Sequence, residues 1–342
     1  MSTTTKSPKK VARAALDIAI KTLPLYAHRF SPKKFTLPQL FTCLVLKQFF
    51  KTDYRGIAAI LTDSPALASA IGLKVIPHYT TIQKSAQRLL NLSSTNSLLK
   101  ATIEAALRKR RTVKVAALNA TGLESGHISP YFYKTRLNGQ KSRKWTHFTR
   151  WPKLAIIVDV DNHLIDSVYP TRGPGRDSTH FKDILNRLPA NIDVKHIVAD
   201  AGYDAEDNHI YAREILGIKT TIPPKVGRAP RRFPKKRYRR MMKLHFAAKT
   251  YRKRWQVETV FSMIKRNLGY CLYGKSQQSQ NCEMLLLAIT HNILIVLFSL
   301  FVKELFYRAL NSKQSPFSQG QVSNYQNSKH DPQHKVRGLR TF

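Results

Sequence analysis

The chain has 342 residues, 42% of them hydrophobic, which is enough for one large folded domain and a small companion. Its 58 Lys+Arg against 20 Asp+Glu leave a formal charge of +38, so the chain requires a polyanionic partner. The basic residues run through the whole sequence rather than along one amphipathic helix, which favours nucleic acid over a membrane surface and gives no reason to expect a small-molecule substrate.

In chain order, residues 1–10 are polar and basic and read as a disordered arm able to lie on DNA, with no apolar run of the kind a signal peptide carries. From Val11 to Leu107 the pattern is helical. Leu37 to Phe50 is strongly apolar, Tyr54 to Leu61 and Ala66 to Ile71 read as short helices, and Thr80 or Thr81 is positioned to cap a helix running to Leu90. Two short helices, a turn at Gly72 and a helix bearing Gln83, Lys84, Gln87 and Arg88 have the makings of a helix-turn-helix, with a plain helical bundle as the alternative. Residues 11–107 are therefore read as a helical DNA-binding domain.

A strand pattern follows. Thr112 to Leu118 is a short buried strand, after which comes Asn119-Ala120-Thr121-Gly122. Leu154 to Val160 and Leu164 to Tyr169 form a pair joined by a turn at Asp161-Asn162-His163. Ser178 is placed to cap a helix to Leu188, Ile192 to Ala199 is a fourth strand ending at Asp200, Ala205 to Leu216 is a helix, and Lys219 to Ile222 a fifth strand. This alternation predicts a mixed sheet with helices packed on it. Between Lys225 and Lys243 lie ten Lys/Arg, among them Arg231, Arg232, Lys235, Lys236 and Arg237, with Phe233 and Tyr238 interleaved and no acid inside the run. Such density predicts a DNA-contact segment within a basic insertion over 225–248.

Lys249 to Gly269 reads as one helix. Tyr251, Arg254, Glu258 and Lys265 fall within an arc of about 60° at about 100° per residue, and Val257, Val260, Ile264 and Leu268 form a separate apolar face. Met284 to Val302 is long and apolar, but Thr290, His291 and Asn292 interrupt it, so a buried core helix is expected rather than a membrane span. The polar tail 310–342 is expected to be disordered, and Cys43, Cys271 and Cys282, without C-x-x-C spacing, suit a reduced cytoplasmic setting and no zinc site.

Two stretches resemble a known family. Tyr251-x2-Arg254-x3-Glu258-x6-Lys265 resembles the Y-R-E-K signature of insertion-sequence DDE transposases, and Val198-Ala199-Asp200-Ala201-Gly202-Tyr203-Asp204 resembles their second-aspartate motif D-x-G-Y-D. The resemblance implies a ribonuclease-H-like α/β domain over 108–309, binding of terminal inverted repeats in double-stranded DNA as a homodimer, nucleoid association, and strand cleavage and transfer supported by Mg²⁺ with Mn²⁺ as a substitute. It assigns Asp200 and Glu258 as catalytic metal ligands, and Tyr251, Arg254 and Lys265 as DNA contacts. The first family carboxylate belongs in a D-x-T-G context, which here reads Asn119-Ala120-Thr121-Gly122, so the resemblance puts Asn119 at the ligand position. An amide oxygen coordinates a hard cation without neutralising it. The expectation is thus a transposase impaired at position 119, or a DNA-binding protein disabled for cleavage that represses sister copies. Glu124, Asp159 and His127 are the candidates to replace the missing acid, and Asp204 and Asp207 are expected to face solvent or cap the helix that follows.

Overall fold

A computed structural model describes residues 5–107, 111–125, 151–173, 175–225 and 233–312. Met1–Val302 forms one compact unit and Lys303–Phe342 a second. His127, Arg231 and Arg232 lie outside the described residues, as do the tail from 313 onward and residues 1–4 of the expected arm.

The N-terminal part is helical: α1 (Pro8–Thr22), α2 (Leu37–Phe49), α3 (Tyr54–Asp63), α4 (Pro65–Ile71), α5 (Tyr79–Leu89) and α6 (Leu92–Ala106). Proline in the first turn and the Ser7 side chain accepting from Lys10 N–H start α1 at Pro8, so residues 8–10 are helical and the expected basic arm is shorter. Thr36 and Gln39 cap α2 reciprocally. Helix α4 ends at Gly72, whose φ of 73° suits glycine, and its carbonyl accepts from Gln39 Nε2 at 2.7 Å. Neither Thr80 nor Thr81 caps α5. The helix begins at Tyr79, after His78, at least two residues earlier than either cap would place it, and the Thr80 hydroxyl bonds the His78 ring at 2.8 Å instead. Gln83, Lys84, Gln87 and Arg88 are all exposed along one side of α5.

Five strands form the central sheet in the order β5-β4-β2-β7-β8, counting β1 (Arg111–Val113), β2 (Ala116–Gly122), β3 (Glu124–Ser125), β4 (Pro152–Asp159), β5 (Ile165–Arg172), β6 (Ile192–Val194), β7 (His196–Ala199), β8 (Lys219–Thr221) and β9 (Cys271–Leu272). β5, β4 and β2 run antiparallel, and β7 and β8 add in parallel. This is the ribonuclease-H-like mixed sheet expected from the sequence. Two predicted strands are each split: Thr112–Leu118 and Ile192–Ala199 break at the same level. Their first pieces, β1 and β6, pair with each other in a separate parallel ribbon, with Lys195 N–H donating to Val113 O at 2.9 Å across the break. The helix expected from Ser178 is a 3-10 turn, Asp177–His180, followed by Phe181–Leu185, and Ser178 caps nothing. The helix expected over 205–216 is Glu206–Ile210 followed by a wider π turn, Tyr211–Ile215.

Alternating residues of the sheet feed two cores. Leu154, Ile156, Val158, Ala117 and Val198 join one core with α1–α5, Val257, Val260 and Ile264 of the helix Trp255–Leu268, and Leu285 to Ile293 of the C-terminal helix. Ala116, Leu118, Ala155, Ile157, Ile197 and Ala199 face Phe181, Ile184, Tyr203 and Ala212. The N-terminal helices thus share a core with the catalytic-type sheet, which ties their exposed α5 face to it rigidly.

The C-terminal helix starts at Gln277. Its stretch Gln277–Leu300 is long and apolar enough to cross a membrane by length and composition, but 78% of that window is buried inside the protein, as expected of a core helix. The polar interruption has a structural job. Asn292 accepts from Ile165 N–H at 2.8 Å and donates to Ile165 O at 2.9 Å and Thr102 Oγ1 at 3.0 Å, and His291 Nε2 lies 3.0 Å from His163 O. Asn292→Leu leaves the amide and carbonyl of Ile165 buried without partners. Equilibrium denaturation is expected to register a loss of about 2–4 kcal/mol with unchanged helix content.

At the far end of the sheet Arg111 is held by Asp159 (3.2 Å) and Asp166 (2.6 Å), all three nearly or fully buried. Burial pushes Asp166 up to about 7; Arg111 pulls it down and Asp159 raises it again. The folded state therefore holds a proton that the unfolded chain releases near pH 4. Stability is expected to fall as pH rises from about 4 to about 7 and then to level off. Comparing denaturation midpoints at pH 5 and pH 8, Asp166→Asn should remove most of this slope.

Candidate catalytic edge and nucleic-acid interface

The parallel ladder of β2 and β7 pairs Ala116 with Ile197, Ala117 with Val198 and Leu118 with Ala199, and then stops. The next residues in each chain direction are Asn119 and Asp200, so the two stand side by side on adjacent strands about 4.8 Å apart. Asp200 keeps extended backbone angles, φ −76° and ψ 172°. By alternation both belong to the face of Ala117 and Val198, the face that the helix Trp255–Leu268 covers. Contrary to the expectation that Asn119 follows its strand, it lies within β2, which continues to Gly122 against β4 and pairs Asn119 with Ile156.

Glu258 enters from the first turn of that helix, where a carboxylate suits the helix dipole. The helix is not the single one expected over 249–269. Ala248–Tyr251 is α-helical, Arg252–Arg254 tightens to a 3-10 turn against β2 and β7, and the α-helix resumes at Trp255. Three of the four signature residues still meet. Arg254 Nη2 lies 2.6 Å from Glu258 Oε1, and its guanidinium sits 5.8 Å from the Tyr251 ring centre. Burial raises the Tyr251 hydroxyl, Arg254 pulls it down, and both Asp200 and Glu258 push it up, so the phenol stands within the field of the two acids. Lys265 is not part of this group. It lies two turns, about 10 Å, further along the helix. Val257, Val260, Ile264 and Leu268 are buried as expected.

The donors available to a metal at this edge are two carboxylates and an amide. Asn119 Oδ1 accepts from Ala120 N–H at 2.8 Å, and the other terminal atom of that side chain is an NH₂ group with no lone pair for a cation. Asp200 Oδ1 accepts from Gly202 N–H at 2.8 Å. Among the described residues no three His, Cys, Asp or Glu side chains come together as a metal site. Two-metal phosphoryl transfer needs several converging carboxylates, and this set does not meet that need.

Neither described substitute fills the gap. Glu124 is in β3, paired with Cys271 of β9, beyond the C-terminus of the Glu258 helix and about 15 Å of helix away from Glu258. Asp159 pairs with Ala116 at the opposite end of β2 and is committed to Arg111. One acid that sequence reasoning passed over does stand at the edge. A Cβ on Gly202 would lie 2.9 Å from Asp200 Oδ1 and 3.3 Å from Asp177 Oδ2, so these two carboxylates flank the glycine and a larger residue there would push them aside. Asp177 is ion-paired to Lys153, which neutralises it. Its only sequence signal is its place at the end of the loop following the third sheet strand.

The basic segment is docked rather than free. Asp204, expected to face solvent, has a fully buried side chain. It takes Arg239 Nε at 3.0 and 2.9 Å, Arg239 Nη2 at 2.7 Å and Lys225 N–H at 2.7 Å, with His209 Nε2 at 3.9 Å. Burial pushes the Asp204 carboxyl up, but the His209 ring, Arg239 and the Lys225 amide outweigh it and hold it below the usual Asp range. Glu206 accepts from the amides of Tyr238 and Arg239, and Glu214 accepts from the Tyr238 hydroxyl. These contacts pin the helix Arg237–Leu244 and leave Lys235, Lys236, Arg237 and Arg240 exposed. Arg239 is thereby removed from the set of cations free to meet a polyanion.

A ribonuclease-H-like sheet with an acid at the end of one central strand and another on the crossing helix is the framework of a class of proteins built for phosphodiester chemistry on nucleic acid. The sequence model of the transposase DDE domain family matches residues 114–293, just over half the chain and inclusive of Asn119, Asp200 and Glu258. The chain belongs to that family. A search of curated proteins finds no match to it.

Proposed function

We propose that this transposase-family chain binds the DNA ends of an insertion sequence and brings their phosphodiesters to the Asn119–Asp200–Glu258 edge, with strand cleavage impaired by the amide at 119. What supports this most is the register: β2 and β7 bring Asn119 level with Asp200, on the face that carries Glu258, as a family metal ligand at 119 would require. Lys235, Lys236 and Arg237, fixed by the Asp204 anchor, would hold phosphates, and so would Arg231 and Arg232 of the same run. The exposed face of α5 is suited to a groove. Arg254 would contact phosphate beside the scissile bond, Tyr251 would add a hydrogen bond, and Lys265 would hold the backbone two turns away. Two copies on paired ends, in the nucleoid, complete the reading. Without cleavage, occupancy of the ends by this chain would itself block sister copies.

The test is nicking of DNA carrying the flanking repeats in Mg²⁺ or Mn²⁺, comparing the chain as it stands with Asn119→Asp. Cutting by the aspartate variant alone supports the reading. Comparable cutting by both would mean that another group supplies the missing ligand and that the chain is not impaired. Binding by both with cutting by neither would remove Asp200 and Glu258 from their assigned roles.

A further inference from the structure

Beyond the last turn of the Glu258 helix lies a cavity of about 710 Å³, walled by the end of α2, that last turn and the strand segment after it. Lys47, Lys51, Lys265 and Arg266 contribute four cations to its lining, against the single carboxylate of Glu283. None of the four makes an ion pair within 4.0 Å among the described residues. Two structural bonds fix the wall: Gln48 Nε2 donates to Leu268 O and Lys51 Nζ to Arg266 O, both at 2.8 Å. Gly269, with φ of 105°, then turns the chain so that Tyr270 and Tyr273 bracket β9 at the cavity lining, each 56% exposed. Glu283 accepts from Tyr273 N–H at 2.8 Å at the buried floor, where its charge acts on the equally buried Lys47, so Lys51, Lys265 and Arg266 carry the net positive charge that a ligand in the cavity would meet.

We propose that this cavity is a binding site for an unpaired stretch of DNA strand, its phosphates on Lys51 and Arg266 and its bases stacked on Tyr270 and Tyr273. The inference rests on the DNA-binding reading above. Concentrated positive charge selects a phosphate backbone, while two solvent-facing tyrosine rings offer faces that only unstacked bases can use. A paired duplex keeps its bases stacked on one another and cannot enter a concavity of this size. The volume falls in the range of pockets that enclose a ligand of one or two nucleotide units. Small anions would meet the cations but leave the tyrosines unused.

Fluorescence anisotropy with the full chain tests this, using a blunt duplex and the same duplex with a three-nucleotide unpaired tail. The tail carries 2-aminopurine to report stacking. The chain is expected to prefer the tailed duplex by about tenfold and to quench the probe. Tyr270→Ala combined with Tyr273→Ala should abolish both the preference and the quenching while blunt-duplex binding persists, and Arg266→Gln should weaken the tailed complex alone. Equal affinity of the chain for both duplexes, or a preference that survives the tyrosine replacements, would overturn the proposal and leave duplex binding standing. Loss of binding to every DNA would overturn it together with the reading it rests on.

Discussion

Asn119→Asp is expected to raise Mg²⁺-dependent nicking of repeat-bearing DNA by about 10³-fold over the chain as it stands, equivalent to about 4 kcal/mol of transition-state stabilisation. The size follows from the donors at the edge. Asn119 offers a single oxygen, and Ala120 N–H already engages it at 2.8 Å. An aspartate in the same rotamer would satisfy that amide with one oxygen and present a second, charged one beside Asp200. It would restore a third anionic ligand where phosphate charge develops. Folding should be unaffected, because position 119 is half-buried at the sheet edge and its pairing with Ile156 is through the backbone. A stability change of several kcal/mol accompanying the gain, or no gain at all, would contradict the assignment. Gel-resolved nicking over a range of Mg²⁺ concentrations is the appropriate measurement, since a restored ligand should also lower the metal concentration at half-maximal rate.

What the sequence made legible was what local pattern controls. The apolar runs of β4, β5 and β7, the buried stripe Val257, Val260, Ile264 and Leu268, and the core character of the C-terminal helix all follow from periodicity and length. What it hid depended on partners distant in the chain. Asn119 reads as a residue beyond its strand because the apolar run ends at Leu118; its inclusion in β2 comes from β4, which keeps pairing as far as Gly122 after β7 has stopped. The single ideal helix through Tyr251 and Lys265 gave way to a 3-10 turn where Arg252–Arg254 meet β2 and β7, while Lys265 stands apart from Glu258 simply because two turns of continuous helix lie between them. Asn292 interrupts an apolar run for a reason visible only once Ile165 lies beside it. Asp177 has no motif of its own and reaches Asp200 by way of a turn against a turn.

Replacement of Asp204, whose sequence context says little about its place in the fold, is expected to be strongly damaging to stability. Standing two residues after a glycine in a D-x-G-Y-D segment, it looks like a helix cap. In the fold its carboxylate is fully buried and satisfies Arg239 through both oxygens, the Lys225 amide, and the field of His209. Asp204→Ala removes the anion and leaves the guanidinium of Arg239 and the Lys225 amide without their shared acceptor, so a loss of about 3–5 kcal/mol in unfolding free energy is expected. The pH dependence carries a matching sign. Because the folded-state value of this carboxyl lies below its unfolded one, its contribution is present above pH 4 and is lost as pH falls through the acid range, and the alanine variant should lack that part of the acid transition. The effect should also be spatially selective. With its buried charge pair gone, the helix Arg237–Leu244 relies on its Glu206 and Glu214 bonds and on the packing of Tyr238 and Met242, so limited trypsin digestion should cut within residues 235–243 many times faster than in the parent chain, under conditions where both remain folded. DNA affinity should drop as well, although the variant loses no exposed cation. A flexible array of Lys235, Lys236 and Arg237 must be ordered at the moment of binding, and that ordering costs affinity that the anchored array does not lose.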